Sequence, residues 1–422
     1  MPFYKRYIPL AFLVCLTASP QVMAQSFETL LQSALAHHSG IQAGYQEWQA
    51  RRQSADASGF LPDPMIAVDY FTTPIETRTG PQQQRLMLEQ KLPWFGTRDL
   101  QKVEKQQQAQ AFYWQWQAQQ LELQRQLGEL YGELFQWQES RRIAQQNIQL
   151  LQELEAIVRA RYQVANARQP DLIRIQIELS KASDRLITLE QQQPALRSRL
   201  MLLTGNKELQ QDWPQKLPGT YMVDSLEVLQ QRLQAHPAVV QWQEMGNAAS
   251  SAATLADKKY GPDITLRYGH IFTDDALNPA MEDSGKDPEY VGLAFNIPIW
   301  STQYDSQRKA ALSRSQSAQS QQDFTLLQLQ AQLDQGLFQL RDGERRLKLY
   351  RDELIPRTEQ ALQAQLRAYQ TADGGFLDLL DTEKQLLELQ LMQAQAEQQR
   401  WNAYHLVLMA SGQRYPGVEE RQ

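Results

Sequence analysis

The stretches YQVANARQPDLIRIQIEL (162–179) and YQTADGGFLDLLDTEKQL (369–386) begin with the same Tyr-Gln pair and carry an aspartate at the same position, Asp171 and Asp378. In each, a polar turn separates two long segments whose apolar residues recur at helical spacing, which predicts a helical hairpin. The two stretches lie about half a chain apart, far beyond the period of a small solenoid repeat. The sequence therefore predicts an internal duplication.

Other landmarks occur twice in the same order, which supports the duplication. They are two strand-like openings, LPDPMIAVDY (61–70) and YGPDITLRYG (260–269), two proline-aromatic corners, KLPWFGTRDL (91–100) and NIPIWSTQYD (296–305), and two glycine stops, LLTG (202–205) and MASG (409–412). We therefore divide the chain into four parts. These are a first repeat (25–205), a connecting segment at mid-height (206–224), a second repeat (225–412) and a C-terminal tail (413–422).

Residues 1–24 have the pattern of a secretory signal peptide. Lys5 and Arg6 precede a short apolar run, and the small-residue segment VMA (22–24) precedes Gln25. The single cysteine, Cys15, follows Val14, whereas a lipoprotein signal places a small residue before its cysteine. We therefore expect an exported, unlipidated protein whose mature chain contains no disulfide.

Four segments alternate apolar and polar residues at the period of a strand. The predicted strands cover 65–72, 85–92, 263–272 and 290–299. One face of these strands is apolar and is predicted to contact lipid. Its members are Ile66, Val68, Leu86, Leu88, Val291, Leu293 and Phe295. The alternative is a pair of exposed hairpins on a soluble protein, but isolated two-stranded hairpins are barely stable in water. The proline-aromatic corners suit a membrane interface.

Two very long helices are predicted, over 98–165 and 303–370, each about 100 Å in length. Leucines at consecutive heptads, such as Leu333, Leu340 and Leu347, indicate coiled-coil packing. Half-length helices are predicted before each hairpin, over 27–58 and 225–258, and after each tip turn, over 172–203 and 376–409. The tip turns themselves are predicted at 166–170 and 372–375.

Four strands per chain are too few for a membrane barrel, since the smallest need about eight. Strand edges cannot remain unpaired in lipid, so the sheet must close between chains. We therefore expect three chains to close one sheet of twelve strands. The predicted fold is mainly α with a small β part. It is a trimeric 12-stranded outer-membrane β-barrel, continuous with a long periplasmic α-helical coiled-coil barrel.

Over essentially its whole predicted mature length, the chain resembles the TolC family of outer-membrane efflux channels, also called outer membrane factors. The segment AYQTADGGFLDLLDTEKQL (368–386) is the most specific match, and QKLPWFGTRDL (90–100) is similar to a corner of the heavy-metal cation branch. The resemblance implies a passive trimeric conduit in the outer membrane of a Gram-negative cell, extending into the periplasm. It implies docking to a periplasmic adaptor (membrane fusion protein) and to an inner-membrane RND-type pump, with export of heavy-metal cations.

The same resemblance implies a gate at the periplasmic tip. The matching positions are Tyr369, which would help to lock the closed tip, and Asp378 and Asp381, which would form acidic rings around the threefold axis. An arginine often found in this segment falls at Gly374 and is therefore missing. The tip turns would contact the adaptor through Ala165, Asn166, Ala167, Ala372, Asp373, Gly374 and Gly375.

The aspartates also have a purely structural interpretation. Asp378 is placed to cap the returning helix, and Asp381 lies in its first turn, where the helix dipole favours a negative charge. Asp171, the counterpart in the first repeat, follows Pro170 and is predicted to act as a cap.

The sequence shows no catalytic constellation, phosphate-binding loop or dinucleotide fingerprint, so we expect neither an enzyme nor a cofactor. The five histidines are too dispersed for a predicted metal site. A net charge of -6 without a basic aromatic patch argues against nucleic acid as a partner. Two alternatives remain: a multidrug or type I protein-secretion channel of the same fold, and a periplasmic coiled-coil scaffold or adaptor.

Overall fold

The computed structural model describes residues 26–206, 213–219, 221–278, 280–371 and 373–418. The predicted signal peptide, the tip residue Ala372, part of the connecting segment (207–212 and 220) and the end of the tail (419–422) lie outside the described residues. In the described part of the chain, no helix combines the length and apolar character needed to cross a membrane.

The order of the elements repeats, as the duplication predicts. The first repeat contains α1 (Phe27–His37), α2 (Ser39–Ala57), β1 (Met65–Ile75), β2 (Gln82–Leu92), α3 (Thr97–Gln163) and α4 (Gln169–Thr204). The second contains α5 (Leu226–Leu233), α6 (Pro237–Lys258), β3 (Ile264–Thr273), β4 (Glu289–Phe295), α7 (Ser301–Leu349), a π-helical turn (Tyr350–Leu354), α8 (Ile355–Gln370) and α9 (Phe376–Ala410). The glycine stops are confirmed: Gly205 and Gly412 both have positive φ, at 66° and 71°.

The prediction of single half-length helices before each hairpin is wrong, because both are broken at a histidine. His38 begins α2, and its ring nitrogen Nδ1 accepts the backbone N–H of Ile41 at 3.3 Å. His236 begins α6 in the same way and accepts the N–H of Ala238 at 3.0 Å. Each ring satisfies an otherwise free N–H at the start of the new helix. The matching histidines are therefore structural landmarks of the duplication.

The first long helix is continuous over 67 residues, or about 100 Å. The sequence predicts the second long helix as one element, but the π-helical turn interrupts it between α7 and α8. Pro356 follows directly at the start of α8, and its missing N–H cannot complete a regular turn. The two long helices span the height of the molecule, and the half-length helices pack beside them above and below.

The strands form one antiparallel sheet in the order β1-β2-β3-β4. The first hairpin is longer than predicted, since pairing continues beyond an irregularity between Tyr70 and Ile75, and only 76–81 connect the strands. β4 is shorter than predicted and ends at Phe295, because Pro298 stops the segment after it from continuing the ladder.

The core at mid-height is an aromatic cluster that joins distant parts of the chain. Trp401 of α9 is fully buried, and its Nε1 donates to the carbonyl oxygen of Gly128 in α3 at 2.7 Å. Phe27 of α1 packs edge-on against Trp401, with the ring centroids 5.2 Å apart. The His405 ring stacks on Tyr415 of the C-terminal segment at 5.6 Å. This cluster fixes both ends of the described chain against the long helices.

His405 is completely buried, and neither ring nitrogen has a hydrogen-bond partner among the described residues. Burial lowers the pKa of His405 from 6.5 to about 3. The folded-state pKa lies below the unfolded value, so its contribution to stability is complete above pH 6.5. This contribution falls between pH 6.5 and about 3, and at pH 5 the loss is about 2 kcal/mol.

We expect His405→Phe to remove this acid-dependent loss, because phenylalanine keeps a ring in the aromatic cluster and has no proton to take up. The free energy of unfolding, followed by circular dichroism between pH 7.5 and 4.5, measures the effect. His37→Gln is the control, since His37 lies on the exposed end of α1. Equal pH slopes in the parent and His405→Phe would contradict the prediction.

Candidate functional site

Two regions of the fold contain the residues with predicted roles: the tip, where both hairpins turn, and the two faces of the sheet. At the tip, the first turn covers 164–168 and the second 371–375, so the predicted turn at 166–170 begins two residues earlier and Pro170 belongs to α4. Ala165 has a φ of 57° in the first turn. Ala165, Asn166, Ala167, Asp373, Gly374 and Gly375 all lie in these turns.

Tyr369 is buried between the two hairpins, with 4% of its surface exposed. The guanidinium of Arg161, from the other hairpin, lies 4.5 Å from the centre of its ring, and Phe376 packs against it at 5.9 Å. Burial raises the pKa of Tyr369; the positive charge of Arg161 opposes this rise, and the negative charge of Asp171 adds to it. Tyr369 therefore connects the two hairpins of one chain.

Arg161 was not predicted to belong to this site. Its Nη2 also donates to the carbonyl oxygen of Asn166 at 3.1 Å, so it holds the first tip turn as well as the tyrosine ring. At Gly374, a β-carbon would approach the β-carbon of Ala368 to 3.0 Å. Gly374, which stands where the family that this chain resembles often has an arginine, thus has little room for any side chain.

Asp378 and Asp381 lie on the exposed surface of α9 just beyond the second turn. The N-cap of α9 is Gly375, and Asp378, in the first turn, accepts no hydrogen bond from its backbone among the described residues, so the interpretation of Asp378 as a cap is wrong. Among the described residues, neither carboxylate has a hydrogen bond or an ion pair. Both are exposed to solvent in the single chain.

Asp171 differs from Asp378 although the two match in sequence. It is buried, with 4% exposure, and its Oδ2 accepts the backbone N–H of Arg168 at 3.4 Å. Arg168 is the N-cap residue of α4, so Asp171 caps the helix from the third position inside it. The predicted capping function is confirmed, and the two repeats use the equivalent aspartate differently.

The register of the sheet brings all seven predicted lipid-facing residues to one face. Ile66 pairs with Leu88 and Val68 with Leu86, while β3 links them to β4 through pairs such as Tyr268 and Val291. Their exposed fractions are large: Ile66 68%, Val68 67%, Leu86 39%, Leu88 43%, Val291 74%, Leu293 62% and Phe295 55%. A largely apolar, exposed surface on a single chain marks a contact surface.

The opposite face of the sheet is charged and internally paired. Arg85 contacts Asp69 directly across the strands at 2.5 Å, and Arg267 contacts Glu89 at 2.7 Å. The sheet thus separates a largely apolar side from a side that carries paired charges.

Sequence reasoning also missed a buried carboxyl group above the tip. Glu383 of α9 is 2% exposed and accepts a hydrogen bond from Asn147 of α3. Burial raises the pKa of Glu383; the hydrogen bond from Asn147 opposes this rise. The pair borders a cavity of about 180 Å³ that also contains Glu178 and Lys384, which form an ion pair at 3.1 Å. In the part of the chain that the structure describes, no group of three or more histidine, cysteine, aspartate or glutamate residues is arranged to hold a metal ion.

No family model matches the chain, and a comparison with curated proteins found no match. Several solved structures match its fold. The outer membrane protein VceC from Vibrio cholerae has a TM-score of 0.76 at 17% identity, covering 92% of this chain and 96% of VceC. CusC, which forms a transmembrane channel, has a TM-score of 0.75 at 15% identity, covering 98% and 99%. The outer membrane channel MtrE from Neisseria gonorrhoeae, in its open state, has a TM-score of 0.76 at 16% identity, covering 92% and 89%. The predicted mainly helical fold with a small antiparallel sheet is therefore confirmed as that of these channels.

Proposed function

We propose that the chain is a member of the TolC family and forms the outer-membrane channel of a tripartite efflux system. The observation that carries the proposal is the four-stranded sheet, which exposes one apolar face and pairs its charges on the other. The shared fold with VceC, CusC and MtrE supports it. The channel is a passive conduit, and a partner supplies the energy for transport.

The active form is a homotrimer, because the edges of the sheet need partners. Within the described residues, β1 and β4 each pair on one side only, which leaves two open edges per chain. Open edges are not tolerated in lipid, and three copies close them into a ring of twelve strands. The long helices then continue the ring as a tube reaching about 100 Å into the periplasm.

The gate lies at the far end of this tube. Tyr369 joins the two hairpins of each chain, and Asp378 and Asp381 project from the second hairpin with free carboxylates. In the trimer these aspartates form acidic rings that favour cations. The tip turns dock to a periplasmic adaptor, which connects the channel to an inner-membrane RND-type pump.

Heavy-metal cations are the proposed cargo, supported by the corner QKLPWFGTRDL (90–100) and by the acidic tip. A multidrug or protein-secretion channel is the alternative within the fold, and growth of a channel-deleted host on metal salts and on drugs distinguishes them. A periplasmic scaffold is disfavoured, because it would leave the apolar face of the sheet in water.

We expect the purified protein to be a trimer that requires detergent and conducts ions in planar bilayers, since only the trimer closes the sheet. Chemical cross-linking combined with mass measurement in detergent gives the stoichiometry, and single-channel recording gives the conductance. A stable monomer that stays in solution without detergent would falsify the proposed function.

A further inference from the structure

The base of the sheet, where it meets the helices, exposes a belt of large apolar side chains. Phe60 is 76% exposed, Phe95 75% and Trp300 74%. Phe60 precedes β1 and Phe95 follows β2, so both lie on the helical side of the strands. Aromatic rings at this level are typical of the boundary between hydrocarbon and lipid headgroups.

Three cations, which we name the base cluster, lie beside the two glycines that neighbour these phenylalanines. Arg98 donates from Nη1 to the carbonyl oxygen of Gly59 at 3.4 Å. The side chain of Lys102 packs against Gly59, and its Cδ lies 3.1 Å from the position that a β-carbon of residue 59 would occupy. Lys258 lies at the end of α6, and its Nζ is 4.0 Å from the position that a β-carbon of residue 96 would occupy. Gly59 and Gly96 are the immediate neighbours of Phe60 and Phe95.

The base cluster has no counter-charge of its own. Among the described residues, none of its three members forms an ion pair with a carboxylate. The nearby acids on the second repeat already form ion pairs with other cations. Asp257 pairs with Arg308 at 3.2 Å, and Asp263 pairs with Lys91 at 2.8 Å. Asp56 and Asp99 are near in sequence but do not pair with the cluster. Unpaired cations beside exposed aromatic rings fit an amphipathic anion better than a small hydrophilic anion, because the rings can contact its apolar part.

The position of the cluster suits the headgroup layer. Gly96 follows Leu92, the last residue of β2, by four positions, which is at most roughly 14 Å of chain. Headgroups extend about 5–8 Å beyond the hydrocarbon core on each side. We propose that the base cluster binds the phosphate of an anionic phospholipid in the periplasmic leaflet of the outer membrane, while Phe60 and Phe95 contact its acyl chains. This inference rests on the proposed function.

The test compares lipid binding by detergent-solubilised parent, the triple variant Arg98→Gln/Lys102→Gln/Lys258→Gln, and a control with equal charge loss. The control, Arg174→Gln/Arg197→Gln/Lys216→Gln, removes exposed cations that are unpaired in the described chain. Native mass spectrometry counts bound phosphatidylglycerol and phosphatidylcholine per trimer. We expect parent and control to prefer phosphatidylglycerol by about tenfold, and the triple variant to lose this preference.

Inorganic phosphate is added as a competitor at millimolar concentration. Phosphatidylglycerol that remains bound supports a lipid site, whereas full displacement identifies a free-anion site and overturns the inference. Bilayer conductance is recorded on the same preparations. A parent that inserts and conducts without lipid preference overturns the inference alone, and a parent that does not insert overturns the proposed function as well.

Discussion

Leu293→Arg is expected to destabilise the membrane-inserted protein by about 2–4 kcal/mol per chain, because it places a charge on the apolar face of β4. Leu293 is 62% exposed and pairs with Leu266 across the sheet, so the new side chain has no polar neighbour on that face. Urea titration of the protein folded into lipid vesicles, followed by tryptophan fluorescence, measures the loss.

Ala294→Arg is the matched control, since it introduces the same side chain one residue away. Ala294 pairs with Thr265 on the charged face, where water can reach a guanidinium. We expect a loss below about 1 kcal/mol at this position, as lumen substitutions tune selectivity more than stability. If both variants lose the same stability, the assignment of the apolar face to lipid is wrong.

The double variant Asp378→Asn/Asp381→Asn is expected to weaken block of the channel by divalent cations at least tenfold. At roughly 8 Å in water, each pair of unit charges contributes about 0.5 kcal/mol, so a divalent cation facing three carboxylates gains about 3 kcal/mol before screening. Screening by salt reduces this gain, and a residual 1.4 kcal/mol corresponds to about tenfold. Current in planar bilayers under added magnesium gives the blocking constant, and the reversal potential gives the selectivity.

Asp171→Asn separates a gate from a helix cap in this experiment. Asp171 is buried and holds the start of α4, so its replacement should lower stability by about 1 kcal/mol and leave the blocking constant near the parent value. A double variant that conducts, selects and is blocked like the parent shows that Asp378 and Asp381 do not line the gate.

The first long helix and the glycine stops were predictable, because their signals are local. Heptad leucines specify an apolar stripe within a few turns, and glycine can adopt the positive φ that ends α4 at Gly205. The alternation in β1, β2 and β4 likewise assigned seven residues to one face before any pairing was known. The same reasoning failed at His38 and His236, since a histidine ring is an uncommon helix cap.

The contacts at the tip depend on residues that are far apart in the sequence. Sequence alone selected Tyr369, Asp378 and Asp381 through a resemblance, but it could not show that Arg161 of the first hairpin lies on the Tyr369 ring. It predicted a capping function for Asp171 but left both a gate and a cap open for Asp378, because the two stand at the same position of matching segments. Their burial differs, and burial depends on neighbouring helices.

By itself, therefore, the sequence determined the duplication, the first long helix, the glycine stops and the alternation of the strands, since each of these is encoded in the order or spacing of residues along the chain. Only the tertiary structure decided which distant groups meet. Trp401 reaches Gly128 across 273 positions, and Asn147 reaches Glu383 across 236. Such contacts depend on how the two repeats pack together, and no periodicity within either repeat specifies them.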